Sequence, residues 1–385
     1  MSKLEELIKE FCPNGVIRVT IGKICKISRG IVMSKDFIRD NHGDYPVYSS
    51  QTENNGCLGY INTYKYDGEY VTWTTDGANA GTVFYRSGKF SITNVCGLLE
   101  VKDLMVVNTK YLYYALSIEA RRYVNQGMGN PKLMSNIMAS VQIPLPALPV
   151  QREIVRVLDS FTLYSAELTA ELTARRKQYE FYRDKLLSFD SGNIQRVKLK
   201  DICGKVSNIK WQNDDNEYAY IDLSSVDRET HKITIEQRIN KENAPSRAQQ
   251  IVNKGDVLFA TTRPTLKRYC KITEEFNGQI CSTGFVVLRP KINIILSTYL
   301  YYIVSSDRFF TYVEKNQEGT SYPAISDSKV KEFDFSLPPI EVQERIVKVL
   351  DNFDAICSDL GIGLPAEIEK RQKQYEYYRD KLLRF

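Results

Sequence analysis

The sequence is short of most of what catalysis or membrane insertion requires. Its 385 residues include only two histidines, His42 and His231, and neither sits in a setting that suggests acid–base or nucleophilic work. The eight cysteines, at 12, 25, 57, 96, 203, 270, 281 and 357, make no C-x-x-C pair, which argues against structural zinc. Gly-Lys occurs at Gly22-Lys23, Gly88-Lys89 and Gly204-Lys205 without continuing to Ser or Thr, so there is no phosphate-cradling P-loop. The nearest approach to an Asp/Asn-Pro-Pro-Tyr/Phe methyltransferase loop is Asn130-Pro131-Lys132-Leu133, which lacks the second proline and the aromatic. No charged-then-apolar leader opens the chain, and no apolar run approaches the roughly 20 residues of a membrane span. A cytoplasmic, non-catalytic protein with reduced thiols and neither metal nor cofactor is expected.

What the sequence does contain is a repeat. Residues 177–189 read KQYEFYRDKLLSF and residues 373–385 read KQYEYYRDKLLRF, identical at eleven of thirteen positions. Upstream, residues 145–161 (LPALPVQREIVRVLDSF) align with residues 337–353 (LPPIEVQERIVKVLDNF) at an offset of 192, against 196 for the terminal match. The second copy therefore carries four extra residues.

Each copy reads as a long helix opening after a proline, which in the first turn loses no hydrogen bond. In the first, Ile154, Leu158, Phe161, Ser165, Leu168, Leu172, Arg175, Tyr179, Tyr182 and Leu186 alternate spacings of four and three, as along a coiled-coil seam. In the second, the seam runs through Ile346, Leu350, Phe353, Cys357, Leu360, Leu364, Ile368, Arg371, Tyr375, Tyr378 and Leu382. The insertion there acts as a stutter containing Gly361, Gly363 and Pro365, so a bend or break is expected. A seam this long needs a mate, and the other copy is the obvious one.

Before each helix lies a globular block. Charge is balanced overall, 52 Lys and Arg against 47 Asp and Glu, for a net +5, so any nucleic-acid face has to be local. Residues 1–14 read as an amphipathic helix with Leu4, Leu7, Ile8 and Phe11 on one side. In residues 15–143, the β-prone runs Val16–Ile21, Tyr70–Thr75, Thr82–Tyr85 and Gly97–Val101 precede a helix over Lys110–Tyr123. Residues 191–337 follow the same order: RVKLKDIC from Arg196 echoes RVTIGKIC from Arg18, and YLYY from Tyr299 echoes YLYY from Tyr111. QGMGNPKL from Gln126 and QEGTSYPAI from Gln317 close the blocks. The segments are thus 1–14, 15–143, a helical spacer 144–190, 191–337 and a second helical spacer 338–385. The class is α+β: two mixed α/β blocks in tandem, joined by helices pairing as an antiparallel coiled coil with pseudo-twofold internal symmetry.

Near-identical helices suggest that both contact the same kind of thing, each other or two copies of one partner, whereas divergent loops on a common scaffold suggest two different ligands. Duplex DNA shares the twofold symmetry, and two inverted readers on a spacer suit a split site.

The doubled pattern Leu-Pro-x-x-x-x-Gln-x-x-Ile-Val-x-Val-Leu-Asp, followed by Lys-Gln-Tyr-Glu-x-Tyr-Arg-Asp-Lys-Leu-Leu, resembles the specificity subunit of type I restriction-modification systems over almost the whole chain. The resemblance implies that each block is a target-recognition domain reading one half of a bipartite duplex sequence. It further implies that the helices are a ruler and a docking surface for two methyltransferase subunits, joined by two restriction subunits. S-adenosylmethionine, ATP and magnesium then belong to partners. Two other readings stand beside it: a coiled-coil adaptor without DNA recognition, and the recognition half of a fused DNA methyltransferase.

Polar loop residues beside Lys or Arg are the expected DNA contacts. In the first block these are the run Ser49, Ser50, Gln51 and Thr52, then Asn54, Thr74, Thr75, Asn79, Lys89 and Lys132. In the second they are Thr261, Thr262, Arg263, Lys267, Arg268, Gln279 and Tyr322, with Arg263 the candidate for a bidentate guanine contact. The tyrosines Tyr111, Tyr113 and Tyr114 fall at helical spacing and read as core. For partner docking, the recurring charge order selects Lys177, Gln178, Tyr179, Arg183, Asp184 and Lys185, with their counterparts Lys373, Gln374, Tyr375, Arg379, Asp380 and Lys381.

Overall fold

The computed structural model describes residues 3–127, 129–189, 194–358 and 361–385. Expectations that rest on Met1, Ser2, Met128, the 190/191 junction or the seam position Leu360 lie outside those residues. The chain divides into two compact units, Met1–Glu167 with Glu369–Phe385, and Leu168–Ile368. Each unit therefore joins one globular block to a portion of both repeat copies.

In the first unit, the helix Lys3–Phe11 packs Leu4, Leu7 and Ile8 on the core and leaves Phe11 exposed. It is a packing helix, as a single apolar stripe requires. The block is a six-stranded sheet in the order Cys25–Arg29, Cys96–Val101, Tyr66–Thr74, Val83–Ile92, Tyr45–Tyr48, Cys57–Ile61. Neighbours run antiparallel except Tyr45–Tyr48 beside Val83–Ile92. The sheet curls far enough for Ile31 to bridge Thr93. Trp73 is wholly buried and donates its Nε1–H to the Leu133 carbonyl at 2.9 Å. Gly97 makes room for it, since a Cβ there would lie 2.2 Å from the indole. The helix Thr109–Glu119 closes the core with Tyr111, whose hydroxyl donates to the Pro144 carbonyl at 2.8 Å.

The second unit carries a three-stranded sheet (Tyr269–Lys271, Val257–Ala260, Phe285–Leu288) and a four-stranded one (Arg238–Ile239, Tyr218–Ile221, Ile280–Ser282, Ala248–Ile251). Its main core gathers Phe259, Tyr299, Phe309 and Phe335 with Leu187, Ile346 and Leu350 from the helices.

Both units close their block with the same clasp. Arg18–Thr20 pairs antiparallel with Gln142–Pro144, and Arg196–Lys198 with Asp334–Ser336. They also share one joint between block and helix. The fully buried Gln151 accepts from Asn108 N–H at 2.9 Å and donates to the Val106 and Pro146 carbonyls, each at 2.8 Å. Gln343, equally buried, accepts from Leu296 N–H at 3.0 Å and donates to Ile294 and Pro338 at 3.1 and 2.8 Å. About two helical turns on, Tyr114 donates to Asp159 at 2.7 Å and Tyr302 to Asp351 at 2.5 Å. A buried amide satisfied at both ends fixes orientation as well as position.

The first repeat copy is one unbroken helix, Leu148–Leu187, whose 40 residues span roughly 60 Å. The second is two helices, Ile340–Ser358 and Leu364–Leu382, so the break expected at Gly361, Gly363 and Pro365 is present. Helix pairing is antiparallel within each unit. In the first, Phe161 stacks on Tyr378 at 5.4 Å and 23°, and Arg371 lies 5.1 Å over Tyr164. In the second, Tyr182 stacks on Phe353 at 5.8 Å and 25°, and Tyr179 shares a cavity with Cys357. Phe161 and Phe353 are repeat counterparts, as are Tyr182 and Tyr378, so one aromatic contact is made twice.

Candidate nucleic-acid interface

In the first unit the polar loops meet at one end of the curled sheet. Asn79 Nδ2 donates to Thr52 Oγ1 at 3.0 Å, Gly77 N–H to the Pro131 carbonyl at 3.1 Å, and Thr93 Oγ1 to Ser49 Oγ at 3.0 Å. The loop after Tyr45–Tyr48, the hairpin loop after Tyr66–Thr74 and the segment around Lys132 thereby become one surface. Asn54, Asn79 and Lys132 are exposed on it, with Ser49, Ser50 and Gln51 half-buried and Gln51 donating to the Cys57 carbonyl. Sequence reasoning missed the exposed Asn55, although Asn54-Asn55-Gly56 is a strong signal for left-handed backbone, and all three have positive φ.

Two of the expected readers face inward. Thr74 and Thr75 are fully buried; Thr74 Oγ1 donates to the Asn79 carbonyl and accepts from Thr82 N–H, and Thr75 Oγ1 accepts from Arg29 at 2.6 Å. Their hydroxyls satisfy the hairpin loop instead of lining its surface, because buried backbone groups at a sheet edge need partners. Lys89 stands apart, across the ladder from Asp67, with its ammonium 4.7 Å over the Tyr64 ring.

In the second unit Arg263 and Tyr322 come together. Thr262 bridges Ala324, Arg263 N–H donates to the Pro323 carbonyl at 2.7 Å, and the guanidinium lies 4.5 Å over the exposed Tyr322 ring. Arg263 holds φ 48, a left-handed conformation that is strained for a long side chain. Thr261 is buried, bonded through N–H and Oγ1 to the Gly284 carbonyl. Arg268 also turns inward, donating to the Leu223 and Val226 carbonyls, and Gln279 accepts from Ala219 N–H at 2.6 Å. Lys267 lies 4.9 Å from the Phe310 ring and lines a cavity of about 380 Å³ with His231 and Tyr269. His231 stacks on Tyr269 at 3.8 Å, and burial pushes its imidazole down to about 4.

The recurring helix residues divide in the same way. Arg183 is buried and ion-paired with Asp184 and Asp307 at 3.0 and 3.1 Å, and Asp184 accepts from Asp307 N–H. Burial opposes its charge, but the two carboxylates hold the guanidinium above its ordinary value. Tyr179 packs on the second core and Tyr375 on the first, while Arg379 pairs with Asp380 at 2.8 Å. Gln178 accepts from Arg175 and Gln374 from Arg371. Left outward are Lys177, Lys185, Lys373 and Lys381. Between them stand Phe181 and Tyr377, 62% and 61% exposed, each with a lysine ammonium over its ring. These two aromatics were not among the sequence candidates; being off the seam was the signal.

The described residues contain no group of His, Cys, Asp and Glu able to hold a metal ion, and no helix long and apolar enough to cross a membrane. A family model described as type I restriction modification DNA specificity domain matches residues 13–175 and 192–370. A putative type I specificity subunit of Mycoplasma pneumoniae is 33% identical over 375 residues, 95% of this chain and 96% of that one. The type I restriction enzyme MpnII specificity subunit of the same organism is 41% identical over 170 residues, 43% of this chain and 51% of that one. The type I restriction-modification S subunit from M. genitalium aligns with a TM-score of 0.59 over 96% of both chains at 15% identity, a likeness of fold.

Proposed function

The chain belongs to the type I restriction-modification DNA specificity family, and from that premise we propose how its two units divide the reading of DNA. It is the sequence-recognition subunit of such a system. Each globular block reads one half of an asymmetric bipartite duplex target, and the helices set the spacing between the halves. The observation that carries this is the contrast within each unit: one joint, built on Gln151 or Gln343, supports two unlike loop surfaces. In the first block the contacts are assigned to Asn54, Asn79 and Lys132, with Ser49, Ser50 and Gln51 beside them; in the second, to Thr262, Arg263 and Tyr322. Arg263 takes the bidentate guanine role and Tyr322 braces it.

The repeated outward surfaces fit two copies of one partner, the methyltransferase subunit. Beside the aromatic and its lysines, each unit exposes an apolar loop next to the joint glutamine: Leu104, Met105 and Val106 in one, Ile292 and Ile294 in the other. Exposed aromatic and aliphatic groups rimmed by charge are what a protein interface buries. Restriction subunits join the same complex, and base modification, ATP-driven cleavage and the S-adenosylmethionine, ATP and magnesium they use reside on partners. Family membership does not favour the adaptor or fused-enzyme alternatives.

The test is selection from a randomised duplex library, with this chain alone and with a methyltransferase subunit, at several salt concentrations. Two short, different motifs at fixed spacing are expected, with steep salt dependence. No enrichment in either condition contradicts the reading.

A further inference from the structure

Among the described residues two arginines are buried, and they differ in one respect. Arg183 faces two carboxylates. Arg86, in the strand Val83–Ile92 and 2% exposed, faces none. Its Nε donates to Thr72 Oγ1 at 3.1 Å, its guanidinium is 3.5 Å from the centre of the Tyr48 ring and 4.5 Å from that of Phe84, and both terminal nitrogens lack an acceptor. Aromatic faces ease the charge, but the in-plane N–H donors stay unmet, which is costly for a buried ion.

What covers those donors is the edge of the reading surface. A Cβ on Gly56 would lie 3.0 Å from an Arg86 terminal nitrogen, so the loop rests directly on the guanidinium. That loop holds Asn54, Asn55 and Gly56 in three successive left-handed conformations, with φ of 48, 52 and 75. It is tied down by Ser49 N–H to the Gly56 carbonyl at 3.0 Å and by Asn79 to Thr52. An unmet cation beneath a strained, exposed loop is arranged to meet something from outside.

We propose that Arg86 is a contact of the first half-site: the duplex displaces the segment Thr52–Gly56 and offers the guanidinium fork a pair of acceptors. Phosphate oxygens and the O6/N7 edge of guanine share that chemistry. The inference rests on the first block being a DNA reader, and it explains why a fold keeps an uncompensated buried charge at this end of the sheet.

The experiment compares wild type, Arg86→Met and Arg86→Lys in complex with the methyltransferase subunit, by melting temperature and by selection on randomised duplexes. Methionine fills similar space without charge, so R86M is expected to melt no lower than wild type while losing about tenfold or more in affinity. If a base is read, R86M loses its preference at one position of the first motif; if a phosphate is held, affinity falls evenly and the salt slope becomes shallower. Unchanged affinity and preference in R86M overturn the proposal. Should R86M fail to fold, R86K decides, since it keeps the charge and loses the fork: a weakened first half-site supports the proposal, and an intact one overturns it. A wild-type complex that enriches the second motif but never a first would remove the premise itself.

Discussion

The joint and the loops of each unit obey opposite rules. Gln151 and Gln343 make the same three bonds to corresponding partners, and Phe161 on Tyr378 repeats Phe353 on Tyr182. The loops share neither sequence nor bonding: the first surface is amide-rich and sewn together by side chains, whereas the second centres on one strained arginine against a tyrosine. Recurrence in this chain therefore marks the residues that hold block to helix and helix to helix, together with the outward lysines and aromatics proposed to meet partners. Divergence is concentrated in the loops proposed to read DNA, where some side chains face out and others brace the loop from within.

The sharpest way to break that comparison is to remove the joint. Gln151→Ala strands one N–H and two carbonyls in a dry site, and Gln343→Ala does the same in the other unit. Each is expected to lose about 3 kcal/mol or more. Denaturant melts of both variants test this, and unequal losses would separate the joints. Next in size, Arg263→Ala is expected to relax one position of the second half-site by about 1–3 kcal/mol while leaving the first motif intact. Selected motifs from the variant complex give the answer.

A smaller effect distinguishes the units by pH. The folded-state value of His231, about 4, lies below the ordinary 6.5, so between those values the unfolded chain binds more protons. Stability from this site is full above pH 6.5 and falls as pH drops toward 4, by roughly 2 kcal/mol at pH 5. His231→Asn, which tolerates the left-handed backbone at φ 54, should flatten a pH series of thermal melts. Smallest of all is a change of spacing. A further copy of the Ala-Glu-Leu-Thr unit found at 166–169 and 170–173 would add about 6 Å of helix, or one to two base pairs at about 3.4 Å each. Methylation mapping should show the spacer grow, and an unchanged spacer would deny the helices a ruler role.

Much of the architecture was legible because it is written in period and repeat. The heptad seam and the helix break at Gly361 to Pro365 follow from local pattern, and the common order of the two blocks from the echo of Arg18-Val19 in Arg196-Val197; that each of these strands is clasped by a segment more than a hundred residues on is visible only in the fold. The site was less legible because polar loop residues have two uses. Thr74, Thr75, Arg268 and Gln279 look like readers in sequence, yet each satisfies a buried backbone group whose position only the fold reveals. Arg183 and Asp184 looked like docking residues for the same reason; their partner Asp307 lies more than a hundred residues away in sequence. Arg86 was not among the sequence candidates, because the Tyr48 ring and the loop at Gly56 that cover it lie some thirty or more residues away in sequence.

The most direct test of the account is an exchange. A chain in which residues 15–143 are replaced by a second copy of residues 191–337, keeping both joints, should assemble with the methyltransferase subunit and be tested by methylation mapping. The account predicts a target containing the second half-site twice and the first not at all. Retention of the original first half-site, or loss of all sequence preference in a folded complex, would contradict it.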